Sequence, residues 1–400
     1  MNVAVVGGGI NGIMTTWGLL KQGHDVTLFD KGEVMQQTSS ASTKLLHGGL
    51  RYLENFEFRL VKEALEERQW WIEQAPRLAH PLKLYIPVYR TSRRPAWMVK
   101  MGLWLYGKLA GKQNIGQYQS LNKQQIHLAC PQLKSEGLIK GFSFFDGQMD
   151  DYQLGLWALE QAKKLSINNS VIPTEVGISQ PDKNDMKNQL SLIINEHTQV
   201  TKIDQQGKLT LTDCTTQTFD KIINIAGPWA EQLLKQSNIK SEYTLNLVCG
   251  SHILVENDVI PEPNNVIPGK AGISNDEYEK SGYLLEIPNE RRIFFVLPYQ
   301  GKILIGTTEV PQNLNKPIQS SEEEIDYLIN AYNYYFTMPI SKQNIIKAFA
   351  GLRPLIKSAK DPSKATREYA IHQNQKIINV FGGKWTTSRE LAKKVAEHLV

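Results

Sequence analysis

Between residues 3 and 30 the chain reads Val3-Ala4-Val5-Val6, then Gly7-Gly8-Gly9-Ile10-Asn11-Gly12, an uncharged stretch to Leu20, Gly23, and a second apolar run from Asp25 to Phe29 that stops at Asp30. The apolar runs are short and rich in β-branched residues, which predicts buried parallel strands with a helix between them. Gly7, Gly9 and Gly12 satisfy the G-x-G-x-x-G spacing. Gly7 permits the tight turn, Gly9 lets the backbone approach a pyrophosphate, and Gly12 lets helix and strand pack closely. The first helical turn, with Ile10 and Asn11, offers N–H groups and a positive dipole end to the phosphates. Asp30, with Lys31 beside it, lies about 20 residues beyond the glycines, where a carboxylate accepts hydrogen bonds from a ribose. A glycine-rich turn that binds nothing would leave Asp30 unexplained. The fingerprint predicts a Rossmann-type α/β unit but does not separate NAD from FAD. Its place at the start of a long chain leans towards FAD by fold-level analogy.

The uncharged stretch approaches the length of a membrane span and sits where a leader would, yet no basic segment precedes it and its glycines weaken a lipid-embedded helix. At roughly 100–200 residues per domain, 400 residues imply two or three folding units. The 41% hydrophobic and 21% charged content excludes disordered and collagen-like classes. The 45 basic and 40 acidic residues leave a net charge of +5, too mild for a dedicated nucleic-acid binder. An anionic small substrate or an anionic membrane surface fits better. Cys130, Cys214 and Cys249 lie outside any C-x-x-C spacing, so neither a disulfide framework nor a metal site is expected, and a cytoplasmic location is.

Residues 39–54, Ser-Ser-Ala-Ser-Thr-Lys-Leu-Leu-His-Gly-Gly-Leu-Arg-Tyr-Leu-Glu, make a poor helix and a good polar loop for wrapping a ligand with hydroxyl and backbone donors. Phe56–Ala75 reads as a helix with apolar residues at i, i+4 and Pro76 as its stop. Residues 90–112 mix Arg93, Arg94, Lys100 and Lys108 with Trp97, Met101 and Trp104, the composition of an interfacial helix or of an amphipathic core helix with a basic rim. Lys221–Gly227 reads as a strand that delivers small residues to a nucleotide crevice. From 236 to 349 the β runs lengthen, with a hairpin about Pro298–Gly301 and a capping box at Ser321–Glu324.

These words resemble the FAD-dependent glycerol-3-phosphate dehydrogenases, within the D-amino-acid-oxidase-like flavoproteins. The match is carried by residues 42–54, Arg-Pro-Ala-Trp-Met at 94–98, Asp-Gly-Gln-Met-Asp-Asp at 146–151 and Ala-Gly-Pro-Trp at 226–229. It continues through Gly-Ser-His-Ile at 250–253, Ile-Gly-Thr-Thr-Glu at 305–309, Gly-Leu-Arg-Pro-Leu at 351–355 and Phe-Gly-Gly-Lys-Trp-Thr-Thr at 381–387. The resemblance implies a discontinuous FAD-binding domain (1–80, 140–235 and 350–400) with an inserted, mostly antiparallel substrate domain (81–139 and 236–349). Cofactor contacts are expected from the N-terminal glycines, Asp30 and Lys31; from Ser39, Ser40, Ser42, Thr43, His47, Gly48 and Gly49; from Ala226, Gly227 and Trp229; and from Arg353, Gly382, Gly383, Lys384, Trp385 and Thr386.

The implied reaction oxidises C2 of glycerol 3-phosphate to dihydroxyacetone phosphate, with hydride passing to flavin N5 and electrons onward to a quinone or similar acceptor, on a protein peripheral to the inner face of a membrane. Arg51, Arg353 and Lys384 are expected to hold the substrate phosphate, and Tyr52 to bind the hydroxyl or close the pocket. His252 and His47 compete as the base, with His252 slightly favoured because it lies in the substrate sheet. An oxygen-reducing amine or 2-hydroxy-acid oxidase and a flavin-binding sensor are the alternatives. The sequence departs from the family's pattern at Cys249, Glu309 and Trp385, where Lys, Asp and Leu or Val are usual. It also reaches Val400 without the α-helical C-terminal domain of most members, so none is expected within these residues.

Overall fold

The structure is a computed structural model that describes residues 1–167, 190–256, 281–357 and 369–399. Its longer helices are α1 (Ile10–Lys21), α2 (Phe58–Gln74), α3 (Ala96–Ala110), α4 (Asp151–Ile167), α5 (Glu322–Tyr335) and α6 (Ser388–Glu397). Two large sheets organise the chain. The first runs, by strand, 369–374, 377–382, 221–224, 2–6, 25–29, 192–195. All its pairings are parallel except the antiparallel edge strand Tyr369–Asn374. Apolar side chains leave both faces of the central strand Asn2–Val6. Val3 and Val5 pack with Ile13, Leu20 and Leu391 of α1 and α6, while Ala4 and Val6 pack with Leu233 and Phe381. Burial on both faces explains why this strand shows no polar alternation. The chain turns from α1 into the next strand through Gly23 at φ +82°, a conformation that favours glycine.

The second sheet has ten strands on its main body and edges and is antiparallel apart from the pairing of Ser281–Glu286 with Ala79–Tyr89. The expected hairpin is present as Ile293–Tyr299 and Lys302–Gly306. Leu245–Glu256 pairs with Lys302–Gly306 on one side and Ile345–Ile356 on the other. The expected capping box starts α5, with the Ser321 hydroxyl receiving the Glu324 N–H. That helix packs Leu328, Tyr332 and Tyr335 on the sheet.

The domain boundaries read from sequence depart from the sheets at three joins, the first of which, 80/81, cuts Ala79–Tyr89 of the second sheet. Residues 140 and 350 fall inside Leu138–Met149 and Ile345–Ile356, both of which belong wholly to the second sheet. The change of sheet comes near 150 and 357 instead. An apolar run announces a strand without saying which sheet completes its hydrogen bonds, and that is settled by partners distant in sequence. Residues 90–112 contain α3, which buries Leu103, Tyr106 and Ala110 and exposes Trp97, Met98, Met101 and Trp104.

Candidate active site and cofactor cradle

A cleft of about 650 Å³ has walls from both sheets. Its first wall is the glycine turn. Gly7 has φ +120°, and a Cβ there would fall 2.6 Å from the Ile225 carbonyl oxygen. A Cβ on Gly12 would come within 1.8 Å of the Gly7 carbonyl oxygen. Only glycine permits this approach of strand, turn and helix. The Ile10 N–H donates to the Ser39 hydroxyl (3.0 Å), so the polar loop reaches the start of α1. Gly9, Ile10, Asn11 and Gly12 line the cleft, and the Asn11 side-chain oxygen is buried without a partner.

The Asp30 carboxylate accepts from the Gly8 N–H (2.6 Å) and the Gly32 N–H (2.9 Å). Burial pushes its pKa up, and those two N–H groups oppose the shift. It therefore holds the turn's shape and still borders the cleft. Beside it, the Lys31 ammonium lies 3.4 Å from the Trp229 ring centroid, a cation–π contact at the cleft's edge. Ala226 and Gly227 follow the strand Lys221–Asn224 into the same wall. A turn of backbone N–H donors, a helix N-terminus and close backbone approach fit a pyrophosphate, and the unpartnered Asn11 side-chain oxygen can accept from a ribose or other hydroxyl.

A second glycine pair, Gly382 (φ +75°) and Gly383 (φ +94°), leads from the end of the strand Ile377–Gly382 in the first sheet into Lys384, Trp385 and Thr386, all of which line the cleft. Trp385, a departure from the family's pattern, has a local explanation: its indole N–H donates to the Ser39 carbonyl (3.0 Å) and ties two cleft loops together. The Trp71 indole likewise donates to the Thr386 carbonyl (3.2 Å) from α2.

The polar loop contributes Ser39, Ser42, Thr43, His47, Gly49, Arg51 and Tyr52 to the cleft, whereas Ser40 and Gly48 lie outside its lining. Ser42 faces partly inward, its hydroxyl donating to Asp151 (2.6 Å). Lys44 is buried with its ammonium on Asp151 (2.5 Å) and the Ser40 carbonyl (2.7 Å). Burial raises the Asp151 pKa against those contacts. Tyr52 is buried with its ring 6.3 Å from that of His47, and the Lys384 ammonium lies 4.1 Å from the Tyr52 ring centroid. A histidine, a tyrosine and a cation thus meet at one place on the wall.

From the second sheet, Arg353 donates to the Thr307 hydroxyl (2.8 Å) and approaches Glu309 (3.8 Å). Its guanidinium lies where a Cβ on Gly250 would be, 2.6 Å away, which explains the glycine before Ser251-His252. Glu309 also faces Arg292 at 3.8 Å.

His252 is placed differently from the sequence-based preference. It has no exposed surface and is absent from the cleft lining. Its ring stacks on Phe349 (5.1 Å) and its Nε2 meets the Thr43 hydroxyl (3.0 Å). Burial, with the nearby Arg353 and Lys44 charges, pushes its pKa well below the usual histidine range. Thr43 stands between it and the cleft. By alternation His252 shares the face of Leu245–Glu256 that carries Val248, a cleft residue, and Gly250, and what buries it is the cover that Thr43 and Phe349 place over its ring. Sequence reasoning also passed over Asp146, Thr307 and Glu309 as cleft residues. All three sit inside the quoted motifs, which was the available signal.

The family model described as "FAD dependent oxidoreductase" matches residues 2–171 and 188–398. D-erythritol 1-phosphate dehydrogenase of Brucella abortus is 34% identical over 401 residues, covering 98% of this chain and 72% of that protein. Aerobic glycerol-3-phosphate dehydrogenase of Escherichia coli is 32% identical over 407 residues, covering 100% and 73%. Among solved structures, the FAD complex of glycerol-3-phosphate dehydrogenase from Bacillus halodurans superposes with a TM-score of 0.70 at 22% identity, over 100% of this chain and 65% of that one. The chain therefore belongs to the FAD-dependent oxidoreductases, on their glycerol-3-phosphate-dehydrogenase-like branch, and FAD is its cofactor.

Proposed function

We propose that this chain oxidises the secondary alcohol of a phosphorylated polyol of the glycerol 3-phosphate class, giving the corresponding ketone phosphate. The observation that supports the reading best is a single cleft that carries the nucleotide cradle on one wall and His47, Tyr52, Arg51, Lys384 and Arg353 on the others. FAD, when bound, would supply the two-electron hydride acceptor for this oxidation. The protein's part is to hold the phosphate, remove the hydroxyl proton and exclude water. Arg51, Arg353 and Lys384 hold the dianion, the two guanidiniums through charge-assisted forks. Half-buried His47 takes the hydroxyl proton at a ring nitrogen, a role now assigned to it in place of His252. Tyr52, packed between His47 and Lys384, closes the pocket over the alcohol.

Electrons leave to a quinone or similar acceptor at the cytoplasmic face of a membrane. No helix among the described residues is long and apolar enough to cross one. Peripheral contact with an anionic surface is supported by α3, where exposed Trp97, Met101 and Trp104 are flanked by exposed Lys100 and Lys108. The test is anaerobic mixing of the FAD-loaded protein with glycerol 3-phosphate and, separately, with D-erythritol 1-phosphate. Bleaching of the flavin absorbance by either supports the reading and ranks the two polyols. Absence of bleaching with both overturns it.

A further inference from the structure

Behind His47 lies a buried polar cluster that the reaction above does not use. The Gly48 N–H donates to the Tyr106 hydroxyl (2.9 Å) and to Asp146 (3.2 Å). Tyr106 donates in turn to Asp146, its oxygen 3.0 and 3.1 Å from the two carboxylate oxygens. Arg68 of α2 completes the carboxylate's shell at 2.9 Å and also holds the Gln113 carbonyl (3.0 Å), just past the end of α3. The Arg68 and Asp146 side chains are 1% and 4% exposed. A buried ion pair is a weak source of stability, because desolvation offsets most of the attraction. What this one does specify is a backbone position, since three elements converge on the amide that follows His47. The fit is tight: a Cβ on Gly48 would fall 2.4 Å from the Tyr106 oxygen.

We propose that Tyr106 and Asp146 are positioning residues that fix the His47-Gly48-Gly49 turn and thereby aim the His47 ring into the cleft. The inference rests on the reading of His47 as the base. Tyr106 keeps its proton at any working pH, because burial and the Asp146 charge push its pKa well above the usual range. The hydroxyl is thus a constant strut between carboxylate and amide. Near-attack geometry is steep, a displacement of about 1 Å costing on the order of 100-fold in rate.

The test uses FAD-loaded Tyr106→Phe, which keeps the ring's edge contact with Phe144 and removes only the strut. Flavin content and KM are expected to stay within about twofold, while the rate of anaerobic flavin reduction falls roughly 10- to 100-fold. The acidic limb of its pH profile should move, the labelled His47 ring should titrate at a different midpoint by NMR, and the Gly48 amide should exchange faster. Wild-type rate, pH midpoint and Gly48 exchange would overturn the proposal, as would parallel losses of melting temperature and flavin content with kcat and both midpoints unmoved. Asp146→Asn leaves the Arg68 charge unpaired, so its melting temperature should drop as well. His47→Asn separates the two claims. Wild-type reduction by that variant would defeat the base assignment, whereas Gly48 exchange in Tyr106→Phe reports on the strut either way.

Discussion

The glycine cradle and the wall that faces it are built by different means. The cradle draws on residues 7–12, 30 and 39 with one strand end at 225, and its shape follows from backbone contacts that no side chain could enter. The facing wall takes His47 from a loop, Thr307 from beyond a hairpin strand and Arg353 from a strand whose register with residues 245–256 brings it to Gly250. One is specified by local spacing, the other by long-range pairing. A local device tolerates almost no substitution, whereas an assembled wall loses function residue by residue.

The most complete loss, that of the cofactor itself, is therefore expected in the cradle. Overpacking commonly costs about 1–3 kcal/mol, and a Cβ within 1.8 Å of a backbone oxygen puts Gly12→Val at the top of that range or beyond it. FAD affinity should fall roughly 100-fold or more, and the variant should purify colourless. Retained flavin at wild-type affinity, read by absorbance titration, would break the contrast between the two regions.

On the wall, the variants should stay yellow and fail at chemistry. His47→Asn should slow flavin reduction by about 10²–10⁴-fold, the usual contribution of a general base. Arg353→Ala should lose about 1.5–3 kcal/mol of transition-state binding, or roughly 10- to 100-fold in kcat/KM. Stopped-flow reduction under anaerobic conditions separates the two, because the arginine variant should be rescued in part by high substrate and the histidine variant should not. An Arg353→Ala enzyme with unchanged kinetics removes that residue from the phosphate site.

The same contrast governs what could be read from the sequence. The strand, turn, helix and terminal acid of the cradle were legible because glycine spacing and apolar runs are local signals. The hairpin at 293–306 and the capped helix from Glu322 were legible for the same reason. Which histidine faces the cleft was not, since the residues that cover His252, Thr43 and Phe349, come from segments distant in sequence. The sheet membership of Leu138–Met149 was hidden likewise, as its partners are Ala79–Tyr89 and the edge strand Gln119–Asn122. Trp385 stood out as a departure, but its tie to the Ser39 carbonyl needed both loops in place.

The smallest effect sharpens the comparison at the residue where sequence and structure part. Buried His252 stays neutral in the fold because its pKa lies well below the usual value, while in the unfolded chain it protonates near pH 6.5. Below that pH the unfolded state binds the extra proton, so acid favours unfolding, and the His252 contribution is intact above about pH 6.5 and lost as pH falls towards the folded value. Buried Asp30 and Asp151 act in the opposite sense. Their raised pKa values let the folded state hold protons first, so acidification over their range favours the fold. The difference between wild type and His252→Gln cancels those carboxylates. Stability measured by urea unfolding from pH 7 to 5 should fall more steeply in the wild type, by up to about 1.4 kcal/mol per pH unit. His252→Gln should meanwhile keep the flavin and most of the reduction rate. Equal slopes with a large loss of rate would instead return His252 to the chemistry and undo the separation between the cleft wall and the layer behind it.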